Sequence, residues 1–196
     1  MGDYKTIQIT SNGLFKDKGS KFIGLAYPVK TDDEFRAIIK AVKKEYYNAR
    51  HHPYAFILGK EKTVFRASDD GEPSNSAGAP ILGQLRSSNL TNTLVVVVRY
   101  FGGTKLGISG LINAYKNAAY LAINNNTIVE EYEKLRFKVN FEYIKINDVM
   151  KIIKDHKIHV INQEFSLDCS ILVEINKKTS VIPLKKLYDL AQVEKV

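Results

Sequence analysis

Two polar segments of the chain concentrate the side chains that could do chemistry. In SDDGEPSNSAG, residues 68–78, the carboxylates of Asp69, Asp70 and Glu72 fall within four positions, with Ser74, Asn75 and Ser76 beside them. Carboxylates that close could hold a hard cation such as Mg²⁺ through oxygen, or move a proton as acid and base. The same residues equally suit an Asx turn around Gly71 with solvated charges. An EF-hand loop does not fit, because its twelfth position counted from Asp69 would be Pro80. In RYFGGTKLGISG, residues 99–110, Arg99 and Lys105 flank Gly102 and Gly103, with Gly107 and Gly110 following. Amides exposed by such a turn at the start of a helix make an anion site. The alternative is architectural: glycines that permit tight turns and close helix–sheet packing. GxxxxGK[ST] is absent and the spacing does not give GxGxxG, so neither nucleotide fingerprint applies.

A third cluster is Arg50, His51 and His52 in NARHHPYAF. Adjacent side chains on a strand point to opposite sides, so the two histidines are a poor metal pair. One of them could line a groove as a proton shuttle or phosphate contact; packing is the alternative. Tyr100 and Phe101, at the end of an apolar run, could stack on bases or simply pack. Gly107–Gly110 lacks the fifth position of a GxSxG elbow, which leaves nucleophilic hydrolysis without support.

Hydrophobic periodicity supplies the elements that must position these groups. TLVVVVRY, residues 93–100, predicts a central strand buried on both faces. Residues 5–10 and 20–30 read as strands joined by a turn around Asn12–Gly13 and the basic stretch 16–21. Residues 54–59 and 62–67 read as a hairpin. Thr31 with Glu34 is a capping box for a helix burying Phe35, Ile38, Ile39, Val42 and Tyr46. A short helix is expected over 81–88. A longer one follows the glycines, with Leu111, Tyr115, Ala118, Ala119 and Ala122 on one face. From about residue 135 the order is strand, helix capped by Asn147, two strands, helix after Ser180 and an edge strand. That βαββαβ order is ferredoxin-like. The boundary is placed in the acidic stretch VEEYEK, dividing the chain into domains 1–130 and 131–196.

The net charge of +8 is diffuse: an excess of five lies in residues 1–134 and of three in 135–196. Such a balance permits a polyanionic partner without specifying one. The longest purely aliphatic run, Leu94–Val98, is far short of the ~20 residues of a membrane helix. The N-terminus has no signal-peptide pattern, and the single Cys169 allows no internal disulfide. A cytoplasmic location without membrane contact is the expectation.

DDGEPSNSAGAPIL and LTNTLVVVVRYFGGTKLGISGLINAY, preceded by KFIG and ARHHPYAF, resemble the signature blocks of the YigZ/IMPACT family over about residues 15–125. The resemblance implies an α+β protein. Its first domain would be similar to domain 2 of ribosomal protein S5, and its small C-terminal domain to domain V of elongation factor G. The family's motif positions correspond to Arg50, His51, Asp69, Asp70, Glu72, Pro73, Arg99, Tyr100, Gly102, Gly103, Gly107, Gly110 and Tyr115. Asn75 and Ser109 stand where glycine is usual, and Asn113 where arginine is usual, which removes one positive charge from the helix start. Eukaryotic relatives regulate translation by competing for an activator of a stress kinase, largely through a further N-terminal domain.

The leading expectation is a non-enzymatic protein associated with RNA or the ribosome. Arg50, His51, Arg99, Lys105, Gly102 and Gly103 would form its phosphate-binding groove, and the ferredoxin-like sheet a second contact surface. The alternative is an enzyme acting on a phosphorylated or nucleotide substrate, with Asp69, Asp70 or Glu72 holding Mg²⁺ or moving a proton. A third reading is a protein partner bound by the C-terminal domain.

Overall fold

The computed structural model describes residues 2–196, and the chain divides into two units, the first ending at Glu131 and the second spanning Tyr132–Val196. The larger unit is built on five antiparallel strands: β2 (Ser11–Asp17), β3 (Ser20–Pro28), β4 (Tyr54–Leu58), β5 (Val64–Ser68) and β6 (Thr93–Tyr100). β1 (Tyr4–Ile7) forms a separate ribbon with β7 (Ile128–Glu131). The sheet order is β2-β3-β6-β4-β5, so β6 is central. Its valines divide as the β-pleat requires. Val95 and Val97 face one core with Phe22 and Ala55, while Leu94, Val96 and Val98 face the other with Phe35 and Val42.

Helix α1 (Asp32–Glu45) covers the second of these faces; α2 (Gly78–Ser87) and α3 (Gly107–Asn124) cover the first. Thr31 Oγ1 accepts from Glu34 N–H (3.2 Å), as a capping residue should. The Glu34 carboxylate accepts from Lys30 N–H (2.7 Å), one residue before the expected position, so the box closes a residue early. In α3, Leu111, Tyr115, Ala118, Ala119 and Ala122 are all buried, and the small alanines let the helix lie close on the sheet.

Of the expected connection between the first strands, the basic stretch 16–21 holds the turn and Asn12–Gly13 does not. Asn12 and Gly13 lie inside β2, paired with Leu25 and Gly24. The turn falls at Lys18–Gly19, both at positive φ (43° and 78°), the conformation of a two-residue I′ hairpin. Asn-Gly is a strong local turn signal, but pairing along the whole of β3 overrides it.

The smaller unit contains β8 (Lys134–Glu142), α4 (Ile146–Asp155), β9 (His159–Glu164), β10 (Asp168–Asn176), α5 (Val181–Tyr188) and β11 (Gln192–Lys195). Its strand order β11-β8-β10-β9, antiparallel throughout, is the ferredoxin-like arrangement. Val139, Ile171 and Val173 pack with Val149, Ile153 and Leu187, so α4 and α5 cover a single face. Asn147 is not the cap of α4: a 3₁₀ turn over Tyr143–Lys145 runs into the helix and places Asn147 within it. Among the described residues no helix is long and apolar enough to cross a membrane.

Candidate functional site

Residues 51–53 run beside β6 before β4 begins. Arg99 N–H donates to the His51 carbonyl (3.2 Å) and Val97 N–H to that of Pro53 (2.8 Å). Alternation then separates the histidines, leaving His51 half-buried and His52 buried. His51 Nδ1 lies 2.9 Å from the Asp70 carbonyl oxygen. A carbonyl only accepts, so Nδ1 carries the hydrogen and Nε2 is the free nitrogen.

Each of the three clustered carboxylates has its own structural employment. Asp69 accepts from Ala77 N–H (3.0 Å) and Gly78 N–H (2.8 Å) through Oδ1, and from Asn75 N–H (2.9 Å) through Oδ2. It thereby caps α2, whose own N-cap, Ala77, has no side chain for the task. Asp70 accepts from Lys43 Nζ (2.9 Å) and His52 N–H (2.8 Å). Burial pushes its carboxyl up, but the Lys43 and His52 hydrogen bonds and charges outweigh this and hold it below the usual aspartate value. Glu72 is almost wholly buried; its Oε1 accepts from Arg99 Nη1 (2.6 Å) and from the Tyr115 hydroxyl (2.7 Å).

This donor set does not fit Mg²⁺. The three carboxylates point to three separate protein partners, and no group of three metal-ligating side chains converges among the described residues.

The Glu72–Arg99–Tyr115 set is the floor of the site. Burial, and then the Glu72 carboxylate, push the Tyr115 hydroxyl far above its ordinary value, so it stays a proton donor. The Arg99 guanidinium lies between rings, 5.5 Å from the centre of Phe22 and 5.6 Å from that of Phe101. The side chain of Arg99 is only 10% exposed, and its Nε–H is buried without an acceptor. Arg99, expected in the phosphate-binding groove, does line it, and its charge is compensated by Glu72.

Above this floor opens a groove of about 880 Å³ lined by Arg50, His51, Glu72, Arg99, Phe101 and Lys105, with Leu106, Gly107, Ile108 and Leu111 from the start of α3. Five of the nine expected site residues therefore share one groove. Asp69 and Asp70 lie outside its lining, as do Gly102 and Gly103. Gly102 has an architectural part instead. A Cβ there would stand 1.9 Å from the backbone of Gly19, and its N–H donates to Ser20 Oγ (3.1 Å), so this amide is spent on the β2–β3 turn. Arg50 and Lys105 are exposed and have no ion-pair or hydrogen-bond partner among the described residues. Tyr115 stands in the sequence as a helix-face position and a family motif position, not as a site residue, though a buried tyrosine hydroxyl demands a partner. Lys43 carried no signal at all; only the fold brings α1 to Asp70.

A basic groove beside the central strand of an antiparallel α/β unit, in one chain with a ferredoxin-like unit, defines the class. Residues 18–123 match the Impact N-terminal domain family, more than half of the chain, and the protein belongs to the IMPACT family. An IMPACT family member of Haemophilus influenzae is 33% identical over 164 residues, spanning 83% of this chain and 80% of that protein. The Bacillus subtilis member YvyE is 41% identical over 111 residues, 57% of this chain and about half (51%) of the relative. A crystal structure described as that of a hypothetical protein aligns over 100% of this chain and 98% of its own, with TM-score 0.76 and 25% identity.

Proposed function

We propose that the protein associates with single-stranded RNA, on the ribosome or in its company, through the groove of the larger unit, and acts in regulating translation without catalysing a reaction. The observation that carries this reading is the pair of unpartnered cations, Arg50 and Lys105, beside the uncapped N-terminus of α3 and the exposed ring of Phe101. Cations that track a backbone beside an aromatic platform are the general solution for single-strand binding. Membership of a family whose eukaryotic relatives regulate translation motivates the connection to translation. The alternative of a metal- or proton-moving acidic loop loses its chemical footing, because Asp69, Asp70 and Glu72 already serve protein donors.

Sedimentation with ribosomes and binding of a short single-stranded RNA, each across a salt series, test the reading. Two free phosphate contacts give a log–log salt slope of about −1.4, and Lys105→Ala reduces its magnitude by about 0.7. Association that is absent at low salt, or that ignores salt, overturns it.

A protein partner on the smaller unit is a second reading, favoured by exposed Tyr143, Ile144 and Leu167, where Tyr143 N–H meets the Leu167 carbonyl (3.3 Å). Capture of such a partner would be lost in Ile144→Asp, while RNA binding through the groove would persist.

A further inference from the structure

The groove has features that a strand passing through would leave unused. Its volume of about 880 Å³ is that of a small-ligand pocket, ~300–1,000 Å³. Single-strand grooves that track a backbone instead hold ~4–16 nucleotides per fold. One or two nucleotides fill this space, which points to the end of a strand or to a single nucleotide.

Charge and donor geometry narrow the ligand further. The first turn of α3 begins at Gly107 on the groove; its cap, Leu106, makes no side-chain hydrogen bond, and the turn has no acidic residue. Its first amides are therefore free of side-chain competition for an anion. A second, independent feature is the Arg99 Nε–H, a donor on a side chain nine-tenths buried that lines the same groove and has no acceptor among the described residues. A buried donor left unmade is costly, on the order of 1–3 kcal/mol, and an acceptor that reaches it when the guanidinium shifts on binding would relieve it. Glu72 does not oppose an anion here, because its charge is met by Arg99 Nη1 and its Oε1 also accepts from Tyr115. The uncompensated charge is thus that of Arg50 and Lys105. A phosphodiester offers one negative charge and two free oxygens. A phosphomonoester offers about −1.5 to −2 and three acceptor oxygens, which matches both the charge and the surplus of donors.

We infer that the groove recognises a nucleotide carrying a terminal phosphomonoester, with the phosphate at the first turn of α3 between Lys105 and Arg50 and the base against Phe101. An RNA end and a free nucleoside monophosphate share this chemistry. The inference rests on the reading of the groove as an RNA contact, and goes beyond it in requiring the monoester.

Calorimetric titration of the full-length protein at low salt tests it, with adenylate pentanucleotides phosphorylated at the 5′ end, at the 3′ end or at neither, and with AMP. The expected result is preference for one phosphorylated end over the unphosphorylated pentamer by about tenfold or more, reduced about tenfold in Lys105→Ala. Arg99→Lys keeps a cation for Glu72 but lacks the Nε–H, and is expected to lose part of the same preference. Its far-ultraviolet dichroism and that of Lys105→Ala show whether both remain folded. AMP binding as tightly as the best pentamer upholds the monoester site while removing the RNA reading. Three pentamers binding equally overturn the inference and leave the RNA reading standing. Undiminished preference in both folded variants overturns the placement, and no binding of any ligand overturns both readings.

Discussion

Arg50 and Lys105, on the groove of the larger unit, stand without a carboxylate partner, whereas Lys134 and Arg136, on the open sheet face of the smaller unit, both rest on Glu174 at 3.0 and 3.3 Å. That second face, lined by Arg136, Lys138, Asn162, Glu164, Ser170, Leu172 and Val196, has no aromatic ring among those residues and mixes both signs of charge. The groove reverses each term: its acid is buried beneath an arginine and its aromatic ring is exposed. A net excess of positive charge in each unit thus goes with one surface on which Arg50 and Lys105 have no carboxylate partner among the described residues and one on which Lys134 and Arg136 share Glu174 while Lys138 has none. Net charge is a poor guide to a polyanion site because what counts is which cations remain uncompensated.

The comparison can be broken most forcefully at Glu72. Glu72→Ala leaves Arg99 and the Tyr115 hydroxyl buried without their acceptor. The expected loss is about 3–5 kcal/mol in the stability of the larger unit, read by chemical denaturation of the whole chain. A loss under about 1 kcal/mol would mean that the pair is no floor for the groove. Tyr115→Phe removes one hydrogen bond to a charged acceptor, and the same measurement should show about 1.5–3 kcal/mol.

Acid separates the two units next. Asp70 has a folded-state value below its unfolded one, so its contribution is fully present above the unfolded value of about 3.9 and is lost as pH falls through the folded value. Glu174 is depressed too: burial raises it, and Lys134 and Arg136 more than offset this. Both units should therefore weaken below about pH 4. Asp70→Asn should flatten that limb in the larger unit only, as followed by the tyrosine signal across an acid titration. An acid limb unchanged by Asp70→Asn would remove the carboxylate from the support of the His51–His52 segment. The smallest effect belongs to the exposed network of the smaller unit. Glu174→Ala should cost about 0–1 kcal/mol, and Lys138→Ala should leave RNA affinity unchanged. A fall in affinity on Lys138→Ala would return the ferredoxin-like sheet to the binding surface.

Much of this architecture was legible in the residues, for a local reason. Four valines in β6, the stripe from Leu111 to Ala122 in α3, and the strand–helix order after residue 134 are patterns of periods 2 and 3.6 that backbone geometry imposes within a few residues. The clustering of the site was legible only in outline. Arg50, His51, Glu72, Arg99 and Lys105 stood out by type, and they do share a groove. Tertiary structure alone decided their parts. Glu72 meets Arg99 across 27 positions and Tyr115 across 43, and Gly102 packs on Gly19 rather than cradling an anion. It also decided that Asp69 caps a helix while Asp70 holds the histidine segment. Charge pairing and burial are set by which strands neighbour which and by what the helices cover. The order β2-β3-β6-β4-β5 joins segments remote along the chain, so no local pattern encodes which cation is compensated and which remains free.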